Sequence, residues 1–136
     1  MKTNRRTFLK TLGAAGIFSI VPRHVLGGNG YVPPSDQLTK GIIGVGGIGK
    51  SSYHFTSDKA CKLVAVCDVD KRHLKQAVDM AKQRFNEDVK TYHDFRDLIK
   101  DPNVDVVHIA TPPHWHALMA VEAAKAGKDI WCEKPM

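Results

Sequence analysis

GIIGVGGIGKS, residues 41–51, is an apolar run that passes directly into a glycine-rich turn. The dinucleotide pattern G-x-G-x-x-G fits this turn at Gly44, Gly46 and Gly49. The mononucleotide P-loop pattern G-x-x-x-x-G-K-[ST] fits the same turn, with Lys50 as its lysine. Both patterns place backbone amides and a helix N-terminus against phosphate. The turn therefore predicts a phosphate site, and the rest of the chain has to identify the nucleotide.

Strand-like and helix-like segments alternate along the chain. Asp70 and Asp94 each precede a segment with helical spacing of apolar residues, and we predict both as helix N-caps. The predicted strands are Ile42–Val45, Lys62–Cys67, Val89–Tyr92, Val104–Ile109 and Asp129–Cys132. This alternation predicts an α/β fold, a doubly wound parallel sheet of the Rossmann type with helices on both faces. Six strands are usual in that fold, so five leave it incomplete at its C-terminal end.

Two of the helices are predicted with less distinctive patterns. A helix is expected over residues 49–57, directly after the glycines, although this segment is rich in Ser, Thr and aromatic residues. The helix over residues 114–126 is predicted to bury Leu118, Val121 and Ala124 and to stop at the glycine that follows. These two helices complete the layers on either side of the sheet.

The cysteines and histidines do not have the spacing of a metal site. Cys61 and Cys67 lie six positions apart in a strand, so we place them on one face as small buried hydrophobes, and with Cys132 they make an odd number that argues against a disulfide framework. His114 and His116 make a poor metal pair, because residues i and i+2 of a helix face apart. We therefore expect no metal site.

The positive charge of the chain is concentrated at its N-terminus. The formal net charge is +6, and five basic residues precede Asp36, the first acid. From Asp36 onward 15 basic and 14 acidic residues nearly balance. A nearly neutral folded region has no basic face for nucleic acid, and we expect no nucleic-acid partner.

The N-terminal segment has the features of an export signal. NRRTFLK, residues 4–10, resembles the twin-arginine motif, and the uncharged stretch Thr11–Val21 that follows is shorter than the roughly 20 residues that span a bilayer. We predict residues 1–30 as a twin-arginine signal and linker, the twin-arginine export machinery as a partner, and a periplasmic or exported location. A disordered basic arm is the alternative. No clear A-x-A cleavage site follows, which leaves retention as a membrane anchor open.

An acid at the end of the second strand favours the dinucleotide interpretation. Asp68 stands 24 positions after Gly44, where a dinucleotide domain has the acid that accepts hydrogen bonds from the adenosine ribose. A P-loop enzyme needs a carboxylate at the end of a later strand to hold Mg²⁺, and the fourth strand ends in Ala110 and Thr111 instead. The negative charge of Asp68 favours NAD, whereas nearby Lys71 and Arg72 leave NADP open.

Two further motifs follow strands near the end of the chain. TPPHWH, residues 111–116, follows the fourth strand, and CEKP, residues 132–135, includes the end of the fifth. With the glycine turn and Asp68, these motifs resemble the Gfo/Idh/MocA family of nicotinamide-dependent oxidoreductases. The resemblance runs from about Lys40 to Met136, although Pro113 stands where the family usually has Asn. It implies that residues 38–136 are the family's NAD(P)-binding domain.

The resemblance also implies roles for individual residues. Lys134 is implied as the catalytic lysine, which contacts the substrate hydroxyl that loses its proton. His116 is expected to contact the cofactor or to hold its loop. Because ligands lie beyond the carboxyl ends of parallel strands, we expect the residues of both strand-end motifs to converge near the nicotinamide. The predicted cofactor-binding residues are Gly44, Val45, Gly46, Gly47, Ile48, Gly49, Asp68, Thr111, Pro112, His116, Glu133 and Lys134.

Three functions are compatible with these features. The first is an exported oxidoreductase that transfers hydride between nicotinamide and the hydroxyl of a small-molecule sugar or polyol substrate. The second is an NAD-dependent glycoside hydrolase, which uses the same domain and oxidises a sugar transiently. The third is a truncated, non-catalytic NAD-binding module, because the substrate domain is absent from these 136 residues. A homo-oligomer would form through that missing C-terminal domain.

Overall fold

The computed structural model describes residues 32–33, 36–51 and 54–135, so the predicted signal segment, residues 1–30, lies outside the described residues. The fold lies within a compact unit that runs from Pro34 to Met136. Its described part contains five strands, all parallel: β1 (Leu38–Ile43), β2 (Cys61–Cys67), β3 (Lys90–Tyr92), β4 (Val106–Ile109) and β5 (Asp129–Cys132). Their order in the sheet is β3-β2-β1-β4-β5. The prediction of a parallel Rossmann-type sheet is confirmed.

Three α-helices connect the described strands: α1 (Lys71–Phe85), α2 (Phe95–Lys100) and α3 (Pro113–Lys125). Both predicted N-caps are present, because the side chain of Asp70 accepts from the amide of Arg72 and that of Asp94 accepts from the amide of Arg96. Gly127 follows α3 with a φ of +71°, the left-handed conformation that commonly ends helices. In the described part of the chain, no helix has the length and apolar character needed to cross a membrane.

The sheet is covered on both faces, as the doubly wound fold requires. One face packs Ile42, Leu63 and Val66 against Ala77 and Ala81 of α1. The other face has a larger apolar cluster, in which β-strand residues pack against α2 and α3; it includes Ala65, Val107, Ile109, Leu98 and Met119. Burying these side chains from water is the main stabilising contribution to such a fold.

The described residues of the segment 49–57, which are 49–51 and 54–57, do not form the α-helix predicted there. The described residues of this segment hold one 3-10 turn, Ile48–Lys50, after which Ser51 is extended with φ −61° and ψ 151°. Ser, Thr and aromatic residues have modest helix propensity, because they lose rotamer freedom or bond to the backbone in other conformations. The side chain of Phe55 fills this part of the core: it is 1% exposed and stacks on Phe85 with ring centroids 6.1 Å apart.

The predicted inward face of α3 is also wrong. Leu118 and Val121 are 43% and 51% exposed, and Ala124 is exposed as well. The buried residues are His116, Met119 and Ala123. Apolar residues occur around most of this helix, so their spacing alone fits more than one stripe.

Cys61 and Cys67 do not share a face of the sheet as predicted. Lys40 of β1 pairs with Leu63 of β2, but the next residue of β1 pairs with Ala65, so β2 carries an extra residue between them. Such a bulge reverses the alternation of side chains beyond it. Cys67 therefore packs in the cluster with α2 and α3, whereas Cys61 lines a hollow on the other face.

Candidate nucleotide-binding site

A cleft of about 460 Å³ lies at the carboxyl ends of the strands. The strand order reverses between β1 and β4, because the chain proceeds from β1 to β2 and β3 on one side and then resumes at β4 on the other. In open α/β sheets, this switch point is where ligands bind. The cleft is lined from both sides of the switch point, by Gly44, Asp68, Thr111 and Pro112 among others.

The glycine turn between β1 and the 3-10 turn depends on two glycines. Gly44 has a φ of +90°, and a Cβ there would lie 2.8 Å from the carbonyl oxygen of Ala110. A Cβ at Gly49 would lie 2.0 Å from the carbonyl oxygen of Gly44. A Cβ at Gly47, by contrast, would meet nothing within 4 Å. The first and last glycines therefore allow the turn to close, whereas Gly47 leaves open space beside the backbone.

The carboxylate of Asp68 connects the glycine turn to the end of β2. Its Oδ2 accepts from the amide of Val45 at 2.9 Å, and its Oδ1 accepts from the amide of Asp70 at 2.9 Å. The Nδ1 of His73 lies 3.3 Å from the same Oδ1. A carboxylate has about four acceptor positions, so three contacts leave about one for a ribose hydroxyl. The site therefore fits the ribose role predicted for Asp68.

The lysine of the P-loop pattern is engaged elsewhere. Lys50 donates a hydrogen bond to the Oε1 of Gln76 on α1. In a P-loop, that lysine has to reach the β- and γ-phosphates of a mononucleotide. No carboxylate ends β4 either, since Ala110 and Thr111 follow it. This geometry gives no support to the P-loop interpretation.

His116 links the two strand-end motifs to each other. Its Nε2 lies 2.7 Å from the carbonyl oxygen of Thr111, and its Nδ1 lies 3.0 Å from that of Pro135. The side chain is buried, with 3% of the residue exposed. Both ring nitrogens thus face protein carbonyl groups, and the ring holds the turn after β4 against the turn after β5. Of the two roles expected for His116, this geometry matches the holding of the loop.

Glu133 and Lys134 do not line the cleft with Thr111 and Pro112. The Oε1 of Glu133 lies 2.9 Å from the Nε2 of His108 and 3.2 Å from the Nδ1 of His54. Burial alone would raise the pKa of the Glu133 carboxyl, but the hydrogen bond from His108 and the charges of both histidines outweigh it and lower that pKa. Lys134 is exposed, and the peptide bond between it and Pro135 is cis. The roles of both residues stay predictions.

The cleft also has a wall that the sequence analysis missed. Arg96 lies over the ring of Phe95 at 4.5 Å, and this ring contacts Trp115 edge-on at 6.5 Å. Residues 93–96 directly follow β3, so the rule that ligands lie beyond strand ends also applies to them. The lining residues that were not predicted are Ile43, Cys67, Val69, His93, Asp94, Phe95, Arg96, Trp115 and Met119.

These features together define a dinucleotide-binding domain: a glycine turn after β1, an acid after β2 and a cleft at the switch point of a parallel sheet. The Gfo/Idh/MocA family, an oxidoreductase family with an NAD-binding Rossmann fold, matches residues 38–136, and the chain belongs to this family. The cofactor of the domain is accordingly NAD, and the space beside Gly47 and the spare acceptor position of Asp68 fit it.

Individual relatives agree with this assignment. Glycosyl hydrolase family 109 protein 2 of Shewanella sp. (strain ANA-3) is 40% identical over 112 residues, which are 77% of this chain and 24% of the relative. Inositol 2-dehydrogenase of Salmonella paratyphi B is 36% identical over 101 residues, 73% of this chain and 29% of the relative. The structure of scyllo-inositol dehydrogenase from Lactobacillus casei with bound NAD(H) and scyllo-inositol superposes with a TM-score of 0.61 at 30% identity, covering 73% of this chain and 28% of that one.

The chain spans only about a quarter of the length of these curated relatives. In this chain, residues 38–136 match the NAD-binding Rossmann fold of the family.

Proposed function

We propose that this chain supplies the cofactor domain of an oxidoreductase that transfers hydride between nicotinamide and the hydroxyl-bearing carbon of a sugar or polyol. The observation that carries the proposal is the connection of the glycine turn to Asp68 at the switch point of the sheet. Two relatives support the substrate class, since they are named as dehydrogenases of inositol, a polyol.

In this proposal the two ends of the cleft have different tasks. The glycine turn holds the pyrophosphate, and Asp68 accepts a hydrogen bond from the adenosine ribose. Bound NAD supplies the hydride acceptor. His116 holds the turns after β4 and β5 together, and so it positions Lys134 beyond the strand ends.

Lys134 is proposed to act on the substrate hydroxyl. A neutral amine beside that hydroxyl can accept its proton, and the ammonium group formed stabilises the negative charge left on the oxygen until hydride passes from the carbon to nicotinamide and the carbonyl forms. Lys134 is exposed among the described residues, where water weakens such an interaction. We therefore propose that a substrate domain covers Lys134 in the working enzyme, and that these 136 residues alone bind NAD without turning over sugars.

The experiment is a titration of the purified chain with NAD, NADP and ATP–Mg²⁺ side by side, followed by incubation with NAD and a panel of sugars and polyols. We expect saturable NAD binding and no NADH formation. A preference for ATP–Mg²⁺ would overturn the cofactor assignment. Turnover of a sugar by the chain alone would overturn the view that it is only a cofactor domain.

A second candidate function is glycoside hydrolysis with a transient oxidation of the sugar. Its support is the 40% identity to a relative named as a family 109 glycosyl hydrolase. The two candidates differ in net redox change. For the enzyme that carries this domain, release of an aglycone from an aryl glycoside without accumulation of NADH supports hydrolysis, whereas accumulation of NADH supports the oxidoreductase.

We also propose that the protein is exported by the twin-arginine route. The support is the paired arginines of residues 4–10 and the short uncharged stretch that follows them. Replacing both Arg5 and Arg6 by Lys should retain the protein in the cytoplasm on cell fractionation. Arg23→Lys is the matched control and should leave export unchanged. Equal export of the double variant and the unmodified chain would contradict this route.

A further inference from the structure

Three side chains that can bind metal ions lie together outside the nucleotide cleft. They are His54, in the segment after the glycine turn, His108 in the middle of β4, and Glu133, directly after β5. One ligand atom from each lies within 4.8 Å of the other two. Three distant parts of the chain therefore bring two imidazoles and one carboxylate to a single point.

The types of ligand atom and their spacing fit a small divalent ion. Two histidines and a glutamate are a ligand set of zinc sites that keep a fourth position open. With bond lengths of about 2.0–2.2 Å, neighbouring ligand atoms in a tetrahedral zinc site lie roughly 3.3 Å apart. The Glu133 oxygen lies 2.9 Å from His108 and 3.2 Å from His54. These two separations are within a few tenths of an ångström of that value, and the two imidazole nitrogens, which lie within 4.8 Å of each other, would have to approach by up to about 1.5 Å to bind one ion.

The cluster is shielded from water but is not closed. The side chains of His54, His108 and Glu133 are 14%, 5% and 15% exposed. His54 and His108 border a hollow of about 310 Å³ whose other walls include Thr56, Cys61 and Trp131. A fourth ligand, such as water, has room on the side of this hollow.

Hydrogen bonds with neighbouring side chains orient the Glu133 carboxylate and hold the nearby Lys40 ammonium group. The indole Nε1 of Trp131 donates to Oε1 of Glu133 at 3.2 Å, which fixes the direction of the carboxylate, as hydrogen-bond donors to metal ligands do. The nearby cation, Lys40, donates to Thr56 Oγ1 at 2.8 Å and to the carbonyl of His54 at 3.3 Å. These two acceptors fix the position of the Lys40 ammonium group.

We propose that His54 Nδ1, His108 Nε2 and one carboxylate oxygen of Glu133 bind a divalent transition-metal ion, with zinc as the best fit. The ion would attach the segment around His54 to β4 and to the turn that carries Lys134. The proposal is independent of the oxidoreductase function, because none of the three groups lines the nucleotide cleft.

The test uses the full 136-residue chain, stripped of metal with a chelator and then titrated calorimetrically with zinc chloride. Cobalt(II) is the spectroscopic probe, since four-coordinate cobalt gives intense visible absorption. We expect one ion per chain. Glu133→Gln keeps the shape of the side chain but weakens it as a ligand, and His108→Gln removes an imidazole. Each variant should bind zinc at least about tenfold more weakly.

Two controls make the outcome decisive. His114→Gln changes an exposed histidine on α3, and Cys61→Ser removes the nearest thiol of the hollow; both should bind zinc as the unmodified chain does. Circular dichroism verifies that each variant is folded. No binding by the folded unmodified chain would overturn the proposal. So would unchanged affinity in folded Glu133→Gln, or loss of binding in Cys61→Ser. NAD titration of the metal-free chain tests the nucleotide site separately.

Discussion

Asp68 accepts a hydrogen bond from the backbone amide of Val45 at 2.9 Å, so the acid that ends β2 is tied directly to the glycine turn that ends β1. The phosphate-binding and ribose-binding parts of a dinucleotide site are thereby one connected unit. A change in either part is expected to affect the other, and this connection leads to the first two predictions.

Asp68→Asn is expected to reduce the preference of the chain for NAD over NADP. The variant keeps an acceptor oxygen but loses the negative charge that repels a 2′-phosphate. A loss of about 1.4 kcal/mol in discrimination corresponds to a tenfold smaller ratio of the two dissociation constants. Calorimetric titration with both cofactors measures this ratio. Asp88→Asn, at a side chain that is 91% exposed, is the control and should leave the ratio unchanged.

A comparison of Gly49→Ala with Gly47→Ala should distinguish the role of the glycine turn in folding from its role in binding NAD. A Cβ at Gly49 would lie 2.0 Å from a backbone carbonyl oxygen, so we expect the free energy of unfolding to fall by roughly 1–3 kcal/mol or more and NAD binding to be lost. A Cβ at Gly47 meets only open space, so the stability of this variant should stay within about 1 kcal/mol of the unmodified chain.

The affinity of Gly47→Ala for NAD should nevertheless fall, because the added methyl group occupies the space where the pyrophosphate is expected. Urea unfolding and NAD titration of the two variants provide the measurements. Full NAD affinity in Gly47→Ala would show that the cofactor does not approach this side of the turn.

His116→Ala is expected to destabilise the fold. Loss of the buried ring removes the side chain that bridges the carbonyl groups of Thr111 and Pro135 and leaves a void in its place, which costs about 1–3 kcal/mol. His114→Ala, at an exposed position two residues earlier, should change stability little. Unaltered stability of His116→Ala together with weaker NAD binding would favour direct contact with the cofactor instead.

Cys67 is expected to be the slowest of the three cysteines to react with iodoacetamide. Burial, and then the charge of Asp68, raise the pKa of the Cys67 thiol to about 12. Since the thiolate is the reacting form, alkylation of Cys67 in the folded chain should stay slow up to about pH 10. Unfolding in urea should restore an ordinary thiol. Mass spectrometry of the alkylated peptides follows each cysteine, and rapid modification of Cys67 in the folded chain would contradict its burial.

The same raised pKa predicts how stability depends on alkaline pH. The folded-state pKa of Cys67 lies above the ordinary value of 9.0, so its contribution to stability is full below that value and is lost as the pH rises towards 12. Cys67→Ala should therefore unfold with a weaker dependence on pH in this range. Urea midpoints measured across it, in both proteins, provide the comparison.

The parallel sheet could be predicted from the sequence because its signals are local. Apolar runs alternate with capped helical segments, and Asp70 and Asp94 cap the helices as expected. The sequence also predicts that the glycine turn, Asp68 and Thr111 lie close to one another, because the carboxyl ends of parallel strands meet at one edge of the sheet.

What could not be predicted depends on tertiary structure. The extra residue in β2, which separates the faces of Cys61 and Cys67, depends on pairing with β1. The face that α3 buries depends on the contacts of His116 with two distant carbonyl groups. The cluster of His54, His108 and Glu133 joins residues up to 79 positions apart, and no spacing pattern along the chain indicates it.

The central claim is that the turn at Gly44–Gly49 and Asp68 form the binding site of NAD. Isothermal titration calorimetry of the purified 136-residue chain with NAD tests it most directly, with Gly49→Ala in parallel. We predict saturable binding of one NAD per chain, weaker binding of NADP, and no detectable binding by the variant. Failure of the folded chain to bind NAD, or tighter binding of ATP–Mg²⁺, would contradict the claim.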